Sequence, residues 1–304
     1  MSSSAAPRIA LITAGSAGLG AAVAELFARN GMRVVVNYAS NAQRAEDFVA
    51  RLKSISTLQP QEGRTDYHAV KADLSSRADV ERLVEDAVRA MTPEGQPEKK
   101  KKKLDVVFSN GGWTHIRTLL DLDDNMADED WDRCFTMNVK SHLWLMHAAR
   151  PYLEASWDDE ARESGCFVTT ASLAGVKVSG SSLAYAVTKA AQLHLAKGLA
   201  MIAAPKIRVN SVSPGLLLTV SFVRMRPRLA GLYVNSDSGA DSAVLHAQQE
   251  WGLKFPPERI KMMTEASKLK RLATVEDVAE QVLTYVKNKT VTGQNMVLDG
   301  GWGL

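Results

Sequence analysis

The sequence predicts an α/β fold in a single domain: a doubly wound, mostly parallel sheet with helices on both faces. Three observations carry that prediction. Short Val/Ile/Leu runs alternate with longer helical patterns along the chain, the order expected of βαβ units. The strands read as near-continuous apolar runs, as they do when helices cover both faces of a sheet. A glycine-rich turn follows the first strand and opens the first helix, which places a ligand at the carboxyl ends of the strands. With 304 residues and 45% hydrophobic content, the chain is long enough to bury a sizeable core.

The elements follow in order. A strand at 9–13 leads into a helix over 18–30, which Gly31 is suited to stop. A second strand at 33–37 precedes a polar helix over 42–54, and a third at 68–72 precedes a helix over 78–91. A fourth strand at 104–109 is followed by one helix over 129–153, then a strand at 166–171. A small-residue helix over 184–204, a strand at 208–212, a helix over 274–288 and a strand at 295–298 complete the pattern. Residues 220–249 break it: they have no sustained period and include an Asn/Asp/Ser/Gly-rich stretch at 235–242. A structureless stretch of that length inside a compact domain is usually a functional lid, a disordered insert or an error.

Composition excludes several classes of function. A net charge of +3 is too small to indicate nucleic acid, and the lysine run at 99–103 reads as a solvated loop. Two cysteines, Cys134 and Cys166, are too few for a disulfide framework and fit a reducing compartment. The N-terminus lacks an apolar signal core, and no stretch reaches the ~18 apolar residues of a membrane span. The chain is expected to be soluble and cytoplasmic, without a nucleic-acid, membrane or metal partner.

The turn Thr13-Ala14-Gly15-Ser16-Ala17-Gly18-Leu19-Gly20 has glycines where a backbone must turn tightly and approach a pyrophosphate. Its candidate cofactor contacts are Thr13, Gly15, Ser16, Gly18, Leu19 and Gly20. An acidic residue ending the second strand would hydrogen-bond an adenine ribose and disfavour a 2′-phosphate. Here the strand ends in Asn37-Tyr38-Ala39-Ser40-Asn41 with no carboxylate, and Arg44 is close by. Asn37, Tyr38 and Ser40 are therefore candidate contacts, and NADP(H) is favoured over NAD(H). Asp73, Asn110 and Gly111 fall at the next strand ends, where the rest of the cofactor is expected.

Three of the six tyrosines are followed by lysine four places on: Tyr67–Lys71, Tyr185–Lys189 and Tyr285–Lys289. Four residues along a strand span roughly 13 Å, so Tyr67 and Lys71 cannot cooperate. Tyr285 lies near the end of a helix whose last cations suit its C-terminus. Tyr185 begins a helical run, where positions i and i+4 face the same way about 5–6 Å apart. Ser172 lies upstream at the end of a strand.

Together these residues resemble the short-chain dehydrogenase/reductase family, in its single-domain branch with a Rossmann fold. The resemblance runs from 8 to 301, leaving out 220–249. The family's glycine turn matches 13–20 with Ala14 in place of its first glycine, and its Asn-Asn-Ala-Gly motif appears as Ser109-Asn110-Gly111-Gly112. The resemblance assigns catalytic roles to Asn138, Ser172, Tyr185 and Lys189, and cofactor contacts to Lys189, Pro214, Gly215 and Thr219. Val291-Thr292-Gly293-Gln294 and Asp299-Gly300-Gly301 match its closing strand.

The chemistry implied is hydride transfer between a nicotinamide and a substrate carbon, with Tyr185 moving the proton on the substrate oxygen. A free phenol has a pKa of about 10. The Lys189 ammonium and an oxidised nicotinamide are expected to lower it, and three units correspond to roughly 4 kcal/mol. Lys189 is also expected to bind the nicotinamide ribose, Ser172 to hold the reacting oxygen, and Asn138 to support a water relay to Lys189. Trp113 and His115 either line the substrate pocket or are loop residues satisfied locally. The resemblance also implies a homodimer or homotetramer acting on a small carbonyl or alcohol. A catalytically silent nucleotide-binding protein of the same fold is the alternative.

Residues 220–249 follow Thr219 directly, and the chain resumes as though 250–256 joined 216–219. One reading is a translated retained intron. Val220-Ser221 can be encoded with a 5′ splice signal, Gln249 with a 3′ end, and Ala240-Asp241 with a branch-point sequence. A lineage-specific lid is the other reading. A spliced product would have 304 − 30 = 274 residues.

Overall fold

The computed structural model describes residues 6–92, 102–161, 163–217 and 257–304. Strand β1 (Ile9–Ile12) lies between β2 (Arg33–Tyr38) and β4 (Val106–Ser109), paired in parallel with both. Outside β2 lies β3 (Tyr67–Lys71), and beyond β4 come β5 (Gly165–Thr170), β6 (Ile207–Pro214) and β7 (Asn295–Leu298). The order among the described strands is β3-β2-β1-β4-β5-β6-β7. Winding reverses between β1 and β4, so the crevice at their carboxyl ends is the place where such sheets receive ligands.

The described helices are α1 (Gly18–Arg29), α2 (Ala42–Ile55), α3 (Arg77–Met91), α4 (Asp128–Phe135), α5 (Ser141–Glu154), α6 (Leu183–Ala203), α7 (Pro257–Ala266) and α8 (Val275–Lys287). Successive strand residues face opposite ways, so the sheet carries two cores. Ile12, Val34, Val36, Phe108 and Val168 pack with Phe27 of α1 and Val282 of α8. Leu11, Val35, Val107, Phe167 and Val209 pack with Leu83 of α3, Leu153 of α5 and Leu199 of α6. The predicted single domain and the order of its strands along the chain hold, with ends shifted by at most two residues.

Two elements differ from expectation. The helix expected over 129–153 is two helices, α4 and α5, joined by a π turn at Thr136–Lys140. The apolar period runs on through the turn, so periodicity cannot register its wider winding. The sequence also does not predict α7. Of its described side chains, Ile260 is the buried hydrophobic, too little to form a visible stripe.

Tyr67 and Lys71 lie on β3, and Tyr285 is buried in α8 while Lys289 pairs with Glu163 at 3.0 Å. Neither pair faces the crevice between β1 and β4. Both cysteines are free and buried. No helix among the described residues is long and apolar enough to cross a membrane. Thr219, the 220–249 segment and most of the lysine run at 99–103 lie outside the described residues.

Candidate active site

The glycine turn is built from below. Asn37, buried at the end of β2, accepts from Ala14 N through Oδ1 (3.1 Å), and its backbone oxygen accepts from Gly15 N (2.9 Å). The Asn37 amide donates to the Val70 and Ala72 oxygens, tying the turn to β3 as well. A Cβ on Gly15 would lie 2.8 Å from Ile12 O, and one on Gly20 2.3 Å from Ala14 O. Only glycine permits these approaches. Gly18 takes the left-handed conformation at φ +51°.

Ala14, which stands where the resembling family has glycine, is left-handed too, at φ +47°. Thr13 Oγ1 accepts from Asn110 N (2.8 Å) and Gly111 N (3.3 Å), locking together the ends of β1 and β4. Ser16 and Leu19 are buried in the turn and the first helical residues. Helix α1 begins after Ala17, which provides no side-chain cap, and its first turn carries no acid. The positive end of that helix and its N–H groups therefore suit an anion.

At the rim, Tyr38 is half-buried and Ser40 exposed, and Asn41 caps α2 by accepting from Arg44 N (2.9 Å). Asp73 is exposed, and its Oδ1 accepts from Ser75 N (2.9 Å) and Ser75 Oγ (2.8 Å). On the far side, Pro214 ends β6, and Gly215 N donates to Leu298 O (2.9 Å).

Beside the turn, Ser182 caps α6 by accepting from Tyr185 N (3.2 Å), which sets Tyr185 in the first turn and Lys189 one turn deeper. Lys189 Nζ lies 5.7 Å from the centroid of the Tyr185 ring. Ser172 follows β5 and accepts from Ala174 N (3.1 Å), opening a short turn whose Gly175 packs against the Lys189 backbone. A Cβ at Gly112 would lie 3.4 Å from Asn138 Oδ1 and 3.5 Å from Lys189 Nζ, so the β4 loop passes close to both. The fold thus brings Ser172, Tyr185, Lys189 and Asn138 into one cluster.

Asn138 sits in the π turn and is fully buried. Its Oδ1 accepts from Trp113 N (2.8 Å), and its Nδ2 donates to Trp113 O (2.9 Å) and Thr188 Oγ1 (3.1 Å). Its side chain thus fixes the loop after β4. In that loop the Trp113 ring stacks beneath the Arg133 guanidinium at 4.5 Å, and His115 Nδ1 lies 3.1 Å from Asp130 Oδ1.

Burial raises the Tyr185 phenol above its ordinary value, with the Ser172 hydrogen bond opposing and Cys134 adding to the rise. Lys189 is itself pulled down to about 7 by burial, partly offset by Cys134. The reason is shared desolvation, which disfavours both charged forms. Lys189 Nζ donates to Thr170 O and Gln192 Oε1, both at 2.9 Å. Gln192, Thr188 and His142 are site neighbours that the sequence reading missed. Gln192 is detectable by its i+3 spacing from Lys189; His142 and Thr188 carry no such signal.

A glycine turn at the switch point of a parallel sheet, with a Ser-Tyr-Lys cluster beside it, defines an oxidoreductase of the dinucleotide-binding class. The chain belongs to the short-chain dehydrogenase family, whose model, described as short chain dehydrogenase, matches residues 8–229. It is 32% identical over 293 residues, covering 96% of this chain and 95% of the relative, to a Streptomyces violaceoruber protein named for a ketoacyl reductase of granaticin polyketide synthase. Its fold is similar to that of Pseudomonas aeruginosa RhlG in an NADP complex, with a TM-score of 0.73, 23% identity and coverage of 99% and 98% of the two chains. It is also similar to a 7α-hydroxysteroid dehydrogenase complexed with NADH and 7-oxo glycochenodeoxycholic acid, with a TM-score of 0.72, 24% identity and coverage of 97% and 93%.

Proposed function

We propose that the protein is an NADP(H)-dependent oxidoreductase that interconverts a carbonyl and an alcohol on a small molecule, with Tyr185 as proton donor and acceptor. The observation that carries this reading is the cluster of Ser172, Tyr185 and Lys189 next to the glycine turn. The turn fits a dinucleotide: the Gly15 and Gly20 backbones tolerate no Cβ, and α1 begins without an acidic residue or a side-chain cap. Thr13, Gly15, Ser16, Gly18, Leu19, Gly20, Asn110 and Gly111 would hold its phosphates and ribose. Pro214, Gly215 and Thr219 would flank the nicotinamide, which when bound supplies or accepts the hydride. Asn37 would act from beneath, through the loop it supports.

The chain's own part is to position an oxygen and move a proton. Ser172 Oγ would hold the substrate oxygen, and Tyr185 Oη would give its proton in reduction and take it back in oxidation. A phenol raised above its usual range stays protonated at neutral pH, which favours the donor role. Lys189 Nζ would hold the ribose while its charge offsets the phenolate. The preference for NADP(H) rests on the end of β2, where Tyr38, Ala39, Ser40 and Asn41 provide no carboxylate and Arg44 is near. Solved neighbours include complexes with NADP and with NADH, so this local chemistry carries the choice. Exposed Leu143 on α5 and Val187, Met201 and Ile202 on α6 support assembly as a homodimer or homotetramer.

The test is NADPH and NADH consumption by purified protein across ketones, aldehydes and quinones, with Tyr185→Phe as control. Turnover with NADPH at least tenfold better than with NADH is expected, and Tyr185→Phe should lose about 10³-fold or more in kcat. Wild-type protein that binds NADPH yet turns over none of these substrates would identify the silent nucleotide-binding alternative instead.

A further inference from the structure

From Lys189 a buried polar chain runs beneath the cluster, and its other members have no part in the proposed reaction. Lys189 Nζ donates to Gln192 Oε1 at 2.9 Å. Gln192 Nε2 contacts His142 Nε2 (2.9 Å), Thr170 O (3.1 Å) and Thr169 Oγ1. His142 Nδ1 in turn lies 2.6 Å from Ser109 Oγ and 3.2 Å from Thr169 Oγ1. Lys189, Gln192, His142, Ser109 and Thr169 are all buried, so each polar atom must find its partner within the protein.

Thr170 O can only accept, and it lies 3.1 Å from Gln192 Nε2, so the Gln192 NH₂ must face it and the Gln192 oxygen must face Lys189. The second N–H of that NH₂ points between His142 Nε2 and Thr169 Oγ1, and the amide nitrogen itself cannot accept. His142 Nε2 then has to accept, which leaves the proton on Nδ1, directed at Ser109 Oγ. Protonating Nε2 would set two donors against each other unless the amide rotated, and rotation would turn the Gln192 oxygen against the Thr170 carbonyl. We propose that Gln192 is a positioning residue for the Lys189 ammonium, and that His142, held as the Nδ1–H tautomer, keeps the Gln192 oxygen on that lysine. This rests on the reading of Lys189 as part of the active site.

The ionisable groups facing Lys189 are Tyr185 on its own helix, Cys134 from α4 and His142 from α5, and none of them is an anion at neutral pH. The neutral oxygens of Gln192 and Thr170 are therefore what hold the ammonium in place. Burial and the charge of Lys189 lower the His142 pKa to about 3, which agrees with a permanently neutral imidazole.

Imidazole ¹⁵N NMR of wild-type protein at pH 7 and pH 5.5 tests the tautomer without any turnover. The His142 signals should show a protonated Nδ1 and an unprotonated Nε2 at both values; a proton on Nε2 overturns the proposal. The second arm is Gln192→Glu, which places a carboxylate opposite Nζ. Titration of ¹³Cε-labelled lysine, with the Lys189 signal assigned by its loss in Lys189→Met, should move up by about one unit or more. An unchanged Lys189 titration in the folded variant overturns the positioning role. If Gln192→Glu fails to fold, the wild-type tautomer decides. Failure of the reductase reading would show separately, as equal turnover by wild type and Tyr185→Phe.

Discussion

Ala14 and His142 each hold a conformation or a protonation state that costs stability. A left-handed alanine costs about 1–2 kcal/mol, whereas a glycine there loses roughly 0.5–1 kcal/mol through the unfolded chain. Ala14→Gly should therefore stabilise the protein by about 0.5–1 kcal/mol, read as a higher urea midpoint at unchanged slope. His142 has a folded pKa near 3 against 6.5 unfolded, so between those values the unfolded chain binds the extra proton. Stability should then fall as the pH drops from 6.5 towards 3, by up to about 1.4 kcal/mol per unit from this group. In urea titrations at pH 7, 6 and 5, His142→Leu should show a correspondingly shallower pH dependence; an identical slope would contradict a neutral buried imidazole. Lys189 has the same sign in another window. Its pKa is lowered from 10.5 to about 7, so its cost is complete below pH 7 and is relieved as the pH rises towards 10.5.

Among the elements, those with a strong local period were the most legible. The Thr274 side chain accepts from Asp277 N, and Asp277 reaches back to Thr274 N at 2.9 Å, a capping box that fixes the start of α8. Thr274→Ala should cost about 1 kcal/mol in urea unfolding while leaving activity unchanged. The glycine turn, β2 and α6 could be placed for similar reasons, since tight turns and apolar runs are dictated over a few residues. The π turn at Thr136–Lys140 was not legible, because its register depends on the bonds of Asn138 to Trp113 in a distant loop. Helix α7 escaped for the opposite reason, having almost no apolar face of its own.

For the molecule as a whole, the open question from the sequence is residues 220–249. If they are a translated intron, the 274-residue chain (304 − 30) should fold, turn over NADPH at least as fast as the 304-residue chain, and match the transcripts. Unbroken transcript reads through codons 220–249, together with loss of turnover on deletion, would instead identify a native lid. The sequence by itself determined the alternation of strands and helices, the parallel α/β class that follows from it, and the glycine turn, because each is written in patterns short enough for local sterics and burial to enforce. Tertiary structure alone decided the company Lys189 keeps. Ser109 of β4, His142 of α5, Thr169 of β5 and Gln192 of α6 meet beneath Lys189 only once the sheet is assembled. Desolvation there lowers the lysine pKa and raises that of the phenol, and burial is a property of the assembled fold.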